Sequence, residues 1–250
     1  MQTLPSVQPT AAGVEVETFL SKKSSNRTVA EWIGKSKHHE MDTNQTPIPL
    51  KMFTGGSLET NSYLVACPEG NMLIDAPEGS AEAFRDIPIS LLLLTHGHYD
   101  HVWDAAAVVR KHGCRVAMHP ITETMLADTG LLRRFGIDLE VEPVTADLKL
   151  HEGPSQQLLG RPFDLYEVPG HCPGSICIHD TGAGHLFGGD VLFAGGVGRW
   201  DLPGGDRDLL LSGISKKLLP LPGQTVVLPG HGPTTTIAEE KATNPYLSGI

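Results

Sequence analysis

The segment Thr95-His96-Gly97-His98-Tyr99-Asp100-His101 sets three histidines and one aspartate within six positions, directly after the apolar run Ile89-Ser90-Leu91-Leu92-Leu93-Leu94. Neutral imidazole is a ligand for zinc, iron and other transition metals, and a carboxylate adds a charged oxygen ligand. In extended backbone, residues i and i+2 project to the same side, so His96 and His98 can face one ion. Asp100 and His101 follow a bend and would face a neighbouring point. The spacing therefore predicts two adjacent metal sites. The bland alternative is a polar surface loop that binds nothing. It does not account for four ligand-type side chains at the end of an apolar strand, where a rigid sheet can position them.

The same punctuation recurs downstream. Phe163–Val168 runs into Pro169-Gly170-His171-Cys172-Pro173-Gly174, His185–Phe187 into Gly188-Gly189-Asp190, and Thr225–Leu228 into Pro229-Gly230-His231-Gly232. Each strand-like stretch stops at Gly or Pro and then presents a His or Asp. If these ends share one rim with the first segment, seven ligand-type residues meet. His96, His98 and His171 would then serve one ion, and Asp100, His101 and His231 a second, with Asp190 bridging both. Each ion would keep an open position for a shared water, as a catalytic site requires. His38, His39, His112, His119, His151, His179 and His185 have no such setting and read as surface or core residues.

These ends need strands and helices to carry them. Tyr63–Ala66 and Met72–Ile74 read as strands joined by the turn Pro68-Glu69-Gly70-Asn71, and Cys114–Met118 as another. Helices are expected over Asp104–His112 with Gly113 as stop, near Ile121–Ala127, over Arg207–Leu219 and over Thr236–Ala242. Mixed strands and helices without strict alternation imply sheets covered by helices. Residues 1–45 differ, being rich in Ser, Thr, Gln, Asn and Lys, with one short amphipathic helix candidate at Thr28–Lys37 around Trp32. They read as a weakly ordered extension, leaving 46–250 as the catalytic domain.

At 250 residues, with 40% hydrophobic and 19% charged residues, the composition is that of a soluble globular chain. A formal net charge of −10 argues against a general nucleic-acid or anionic-membrane binder. No apolar stretch approaches the roughly 20 residues that span a bilayer. The N-terminus lacks a secretory pattern, so Cys67, Cys114, Cys172 and Cys177 read as free thiols in a cytoplasmic protein. A mitochondrial presequence is the lesser alternative, since Glu15, Glu17 and Glu31 interrupt its basic residues.

The pattern His96-x-His98-x-Asp100-His101, then His171, Asp190 and His231, resembles the metal site of metallo-β-lactamase-fold hydrolases. The stretches Gly198-Arg199-Trp200-Asp201-Leu202-Pro203-Gly204-Gly205-Asp206, Pro229–Thr236 and Glu240–Tyr246 resemble its glyoxalase II-like branch. The resemblance covers Leu50 to the C-terminus. It implies an αββα sandwich, two mixed sheets inside and helices outside, with a dinuclear site at the sheet edges. It also implies that Asp75 orients a ligand histidine. Cys172 stands where the family usually has Thr and reads as a buried small side chain. Trp200 would line the substrate pocket or pack, with Tyr99 and Arg199 as further pocket candidates. An Arg199–Asp201 salt bridge would fix their loop. Only 19 residues follow His231, too few for the helical glutathione-binding domain of full-length glyoxalase II, so a smaller or different thioester is expected.

The chemistry implied is hydrolysis of a small acyl-thioester. Two divalent cations, zinc first and iron or manganese as alternatives, lower the pKa of a shared water from about 15.7 toward 7. Asp100 or Asp190 could take up the proton. A thiolate, from a thiol of pKa about 8.5, departs without a proton, whereas an amine needs one. The competing class is a mononuclear iron persulfide dioxygenase, which resembles this chain in fold but differs from Leu202-Pro203-Gly204-Gly205 after the bridging Asp. Lactone or β-lactam hydrolysis is a third reading, and a metal-free binding module is the least compatible with seven ligand types.

Overall fold

The computed structural model describes residues 17–19, 50–130, 133 and 138–249. The helix expected at Thr28–Lys37 lies outside the described residues. One sheet runs β1 (Glu17–Phe19), β2 (Leu50–Gly55), β3 (Thr60–Cys67), β4 (Gly70–Ile74), β5 (Leu91–Leu94), β6 (Arg115–Met118) and β7 (Leu148–Lys149), in that spatial order. Strand β3 is antiparallel to both neighbours, and the other pairs are parallel. The second sheet combines β8 (Gly153–Leu158), β9 (Arg161–Glu167), β10 (Ile176–Asp180), β11 (His185–Gly189), β14 (Val226–Pro229) and β15 (Thr235–Thr236). Only its β11–β14 pair is parallel. A small hairpin of β12 (Leu192–Phe193) and β13 (Gly196–Val197) follows β11.

Alternation along these strands builds the layers. Leu91 and Leu93 point into a core shared with Phe163, Leu165, Ile178, Phe187 and Leu228 of the other sheet. Leu92 and Leu94 point outward, onto Phe84, Val102, Ala105, Val108 and Leu126. Both faces of β5 are therefore dry, which is why its sequence is a continuous apolar run rather than an alternating one. The outward face of the second sheet, Cys177, Leu186 and Val227, packs on Leu210, Leu211, Ile214, Leu218 and Ile237. The helices are α1 (Ser80–Ala83), α2 (Tyr99–Val102), α3 (Ala105–His112), α4 (Pro120–Ala127), α5 (Arg207–Gly213) and α6 (Ile237–Thr243). Helix, sheet, sheet, helix is the expected αββα sandwich. Among the described residues, no helix is long and apolar enough to cross a membrane.

The expected helix bounds shift by one residue at Asp104, Ile121 and Thr236, and one helix changes its pitch. The helix at Asp104 begins one residue later, because the Asp104 carboxylate instead accepts the Gly79 and Ala81 amides of α1 at 2.9 and 3.1 Å. The helix expected over Arg207–Leu219 is α-helical only to Gly213 and continues as a π-helical stretch, Ile214–Leu218. Gly213 lies at the change of pitch, where a Cβ would come within 2.7 Å of Val168 Cγ1.

Direction explains the rim. Strands β4, β5 and β6 are parallel and end at the same edge, and β3 starts there because it runs against β4. In the second sheet β9, β11 and β14 share one direction, and an isolated bridge between Thr60 and His231 joins the two sheets at that edge. Loops leaving the carboxyl ends of such strands are where open α/β sheets bind ligands. The opposite end of the second sheet holds a buried ion pair, Arg161 to Asp180 at 2.7 Å, with the Asp180 side chain 1% exposed. Removing one partner of such a pair leaves a buried charge uncompensated and costs about 3–5 kcal/mol. Arg161→Met is accordingly expected to lower unfolding stability by about that much in urea titrations, with metal content unchanged. A loss below about 1 kcal/mol would show that the pair behaves as a solvated one.

Candidate metal centre

The rim gathers all seven expected ligand residues. His96 and His98 leave the end of β5, Asp100 and His101 sit in the short helix α2, His171 follows β9, Asp190 follows β11 and His231 follows β14. His96, His98 and His171 offer ligand atoms within 4.8 Å of one another, as do Asp100, His101 and His231. A third trio, His96, His101 and Asp190, spans the two. Asp190 faces both sides: Oδ1 lies 3.1 Å from His101 Nε2, and Oδ2 lies 3.6 Å from His171 Nε2 and 3.4 Å from His231 Nε2. Gly230 makes room for this, since a Cβ there would sit 2.2 Å from Asp190 Oδ1.

Four of the imidazoles are turned by contacts at Nδ1. His101 Nδ1 donates to Asp75 Oδ2 at 2.7 Å, His171 Nδ1 to the Arg199 carbonyl at 2.8 Å and His231 Nδ1 to the Leu58 carbonyl at 2.9 Å. His96 Nδ1 lies 3.0 Å from Thr95 Oγ1, which itself donates to Asp75 Oδ2 at 2.8 Å. A proton held at Nδ1 leaves Nε2 as the free lone pair. Nε2 of His96 and His171 is buried without a hydrogen-bond partner, and Nε2 of His101 and Oδ1 of Asp190 are buried 3.1 Å apart, facing the same space. Buried polar atoms are ordinarily paired, so unpaired imidazole nitrogens aimed at a shared carboxylate fit bound cations.

The electrostatics agree with that fit. Burial, with His101 and His98 nearby, holds His96 well below the usual histidine range, and burial with His171 brings His98 down to about 4. Burial also lowers His171. Burial opposes charge on Asp100, yet the bond from His231, the His101 charge and the Thr60 hydroxyl outweigh it and hold the carboxyl at about 2. Asp190 is likewise held well below the carboxylate range, against its burial, by His101 and His231. Burial opposes charge on His101 and His231 too, yet Asp190 and Asp75 raise His101 well above its ordinary value, and Asp100 and Asp190 raise His231 to about 10. Protons on His101 and His231 thus balance buried anions at a place where divalent cations could stand instead.

The remaining candidates divide. Asp75 does orient a histidine, His101, and reaches His96 through Thr95. Its backbone lies in the left-handed region at φ 58°, a strained setting for a non-glycine residue. Arg199 spends its side chain on Asp201 through two bonds of 2.7 and 2.8 Å and meets the centre through its carbonyl. Trp200 packs on the outer core, with Tyr246 at 6.1 Å and the Arg207 guanidinium at 5.8 Å. Tyr99 is half-buried beside Trp103. Cys172 is fully buried against Met125 Sδ, its thiol pushed up to about 11 by burial, as a packing role requires. All four cysteines are free.

Sequence reasoning missed several contributors. Leu58 and Arg199 act through main-chain carbonyls, which no side-chain pattern announces, and the Thr60 hydroxyl donates to Asp100 Oδ2 at 2.7 Å. His119, read from the sequence as a surface or core residue, meets His151 and Glu167 at the end of β9. There His119 Nδ1 accepts the Ile121 amide and caps α4, so Nε2 carries the proton and donates to Glu167 at 3.2 Å. That tautomer leaves no lone pair for a metal, and the trio is a hydrogen-bonded cluster.

A family profile described as the metallo-beta-lactamase superfamily matches residues 55–231. The hydroxyacylglutathione hydrolase GloC of Haemophilus influenzae is 35% identical over 210 residues, covering 80% of this chain and 96% of its own length. Among solved structures, the B3 metallo-beta-lactamase BLEG-1 superposes with a TM-score of 0.73 at 35% identity, over 80% of this chain and 100% of its own. TTHA1623 in a di-iron-bound form gives 0.69 at 37% identity, over 78% and 98%.

Proposed function

The chain belongs to the metallo-beta-lactamase superfamily and is a metal-dependent hydrolase, and from that premise we propose that it cleaves hydroxyacyl thioesters in the manner of glyoxalase II at a two-metal centre. The observation that carries this reading is the convergence of two ligand-type trios on the shared carboxylate of Asp190, with the buried, unpaired Nε2 atoms of His96 and His171 aimed at it. His96, His98 and His171 would hold one ion, Asp100, His101 and His231 the other, and Asp190 both. The di-iron form of TTHA1623 supports the two-ion arrangement and keeps iron beside zinc as a candidate metal.

Ions so held would supply a hydroxide at neutral pH and polarise the substrate carbonyl. The chain's own residues do the rest. Asp75, Thr95, Leu58 and Arg199 fix ring orientation, so that the site is organised before substrate arrives. Asp100 and Asp190 are held ionised, as metal ligands must be, and one or the other would take up the proton released as the acyl bond is attacked. The likeness to GloC supports a thioester as substrate, and so does a leaving group that needs no proton. The likeness to BLEG-1 makes β-lactam ring opening the competing reading.

A substrate panel on the purified, metal-loaded protein separates these. A hydroxyacyl thioester of glutathione, a thioester of a smaller thiol, a β-lactam, a lactone and glutathione persulfide are compared. The expected result is thiol release from a hydroxyacyl thioester with kcat/KM at least about a hundredfold above that for the β-lactam. Faster β-lactam opening, or oxygen uptake with persulfide and no thiol release, would overturn the proposal.

A further inference from the structure

The start of β3 touches the centre in an uneven way. Thr60, fully buried, donates its hydroxyl to Asp100 Oδ2 at 2.7 Å, the same oxygen that lies 3.2 Å from His231 Nε2. Asn61, 2% exposed, spends both amide hydrogens on the His231 loop, bonding the Pro229 carbonyl at 3.1 Å and the Gly232 carbonyl at 2.9 Å. Its main-chain amide bonds the Gly230 carbonyl at 2.7 Å, and its Oδ1 is fixed by Thr54 at 2.8 Å. The Tyr63 hydroxyl adds a second bond to the Pro229 carbonyl at 2.7 Å. Leu58 supplies the carbonyl that turns His231. Apart from the Thr54 bond that holds Asn61, and the Ser62 hydroxyl, which donates to the Asp75 carbonyl at 2.7 Å, these contacts reach Asp100, His231 or the His231 loop. Two rings of the other trio are fixed elsewhere, His96 by Thr95 and His171 by Arg199.

The geometry points to Leu58, Thr60, Asn61 and Tyr63 as the device that sets affinity for the second ion independently of the first, with Thr60 as the positioning residue for Asp100. This rests on the two-ion reading above. A carboxylate whose one oxygen accepts a buried hydroxyl is held at a single torsion. Without that bond Asp100 must pay for its own ordering when an ion arrives. Partners of this kind outside the ligand set are commonly worth about 10–100-fold in metal affinity.

The test is zinc titration of metal-free protein against a chromophoric chelator, which needs no turnover. Valine has the shape of threonine and suits a buried strand, so Thr60→Val removes the hydroxyl without opening a cavity. Thr60→Ser keeps the hydroxyl and removes the methyl. The expected result is that Thr60→Val weakens the second ion about 10–100-fold and leaves the first within about threefold, while Thr60→Ser behaves as wild type. Equal weakening of both ions, no weakening, or the same loss in Thr60→Ser would overturn the inference. A wild type that takes up only one ion would overturn the two-ion reading itself, and this inference with it.

Discussion

Asp190→Ala is expected to lower turnover on the best thioester by about a thousandfold or more and to strip the protein of metal under dialysis. The carboxylate stands 3.1 to 3.6 Å from Nε2 of His101, His171 and His231, so its loss touches both trios at once. A catalytic contribution of three decades corresponds to about 4 kcal/mol, within what the supply of hydroxide at neutral pH provides. The metal-free variant should also be less stable than metal-free wild type. His101 is raised well above its usual range chiefly by Asp190 and Asp75, and losing one leaves a buried cation short of compensation. Kinetics with elemental analysis of the dialysed protein checks this. Retained turnover and metal would exclude a bridging role.

The second large effect belongs to Asp75→Asn. Asparagine tolerates the left-handed backbone that Asp75 adopts, so the variant tests the hydrogen bonds rather than the fold. The wild-type carboxylate accepts three donors: the Thr95 amide and hydroxyl, both at 2.8 Å, and His101 Nδ1 at 2.7 Å. An amide replaces one oxygen with a donor and cannot accept all three. Because His101 is held directly and His96 through Thr95, one substitution loosens a histidine in each trio. Metal affinity is expected to fall about 10–100-fold at both sites, with kcat/KM falling in parallel. A defect confined to one ion would mean that the Thr95 link carries no weight. In contrast to Thr60→Val, the two ions here should weaken together.

Much of this site was legible because its residues break local rules. Histidines and aspartates at the ends of apolar strands have no packing purpose, and the i, i+2 spacing of His96 and His98 carries geometry directly. The αββα layering was legible through the family resemblance, while β5 was visible on its own because both its faces are dry. What stayed hidden depends on distant chain. Thr60 and Asn61 acquire their roles from partners 40 and about 170 positions away, and nothing in their neighbourhood signals it. Strand β10 was passed over because it ends in His179-Asp180, polar residues that are buried here, Asp180 pairing with Arg161 of the adjacent strand. Strand β8, Gly-Pro-Ser-Gln-Gln-Leu, is a polar edge strand without the alternation that betrays buried ones. The loop of Trp200 left open whether it lines the pocket or packs, and its ring lies beside Tyr246 and Arg207.

The central claim is that seven side chains form two adjoining metal sites. It is tested most directly by counting ions. Metal-free protein is equilibrated with excess zinc, freed of unbound metal on a desalting column, and analysed for metal and protein together. Two ions per chain are expected in the wild type. A wild type that saturates at one ion or fewer would contradict the claim.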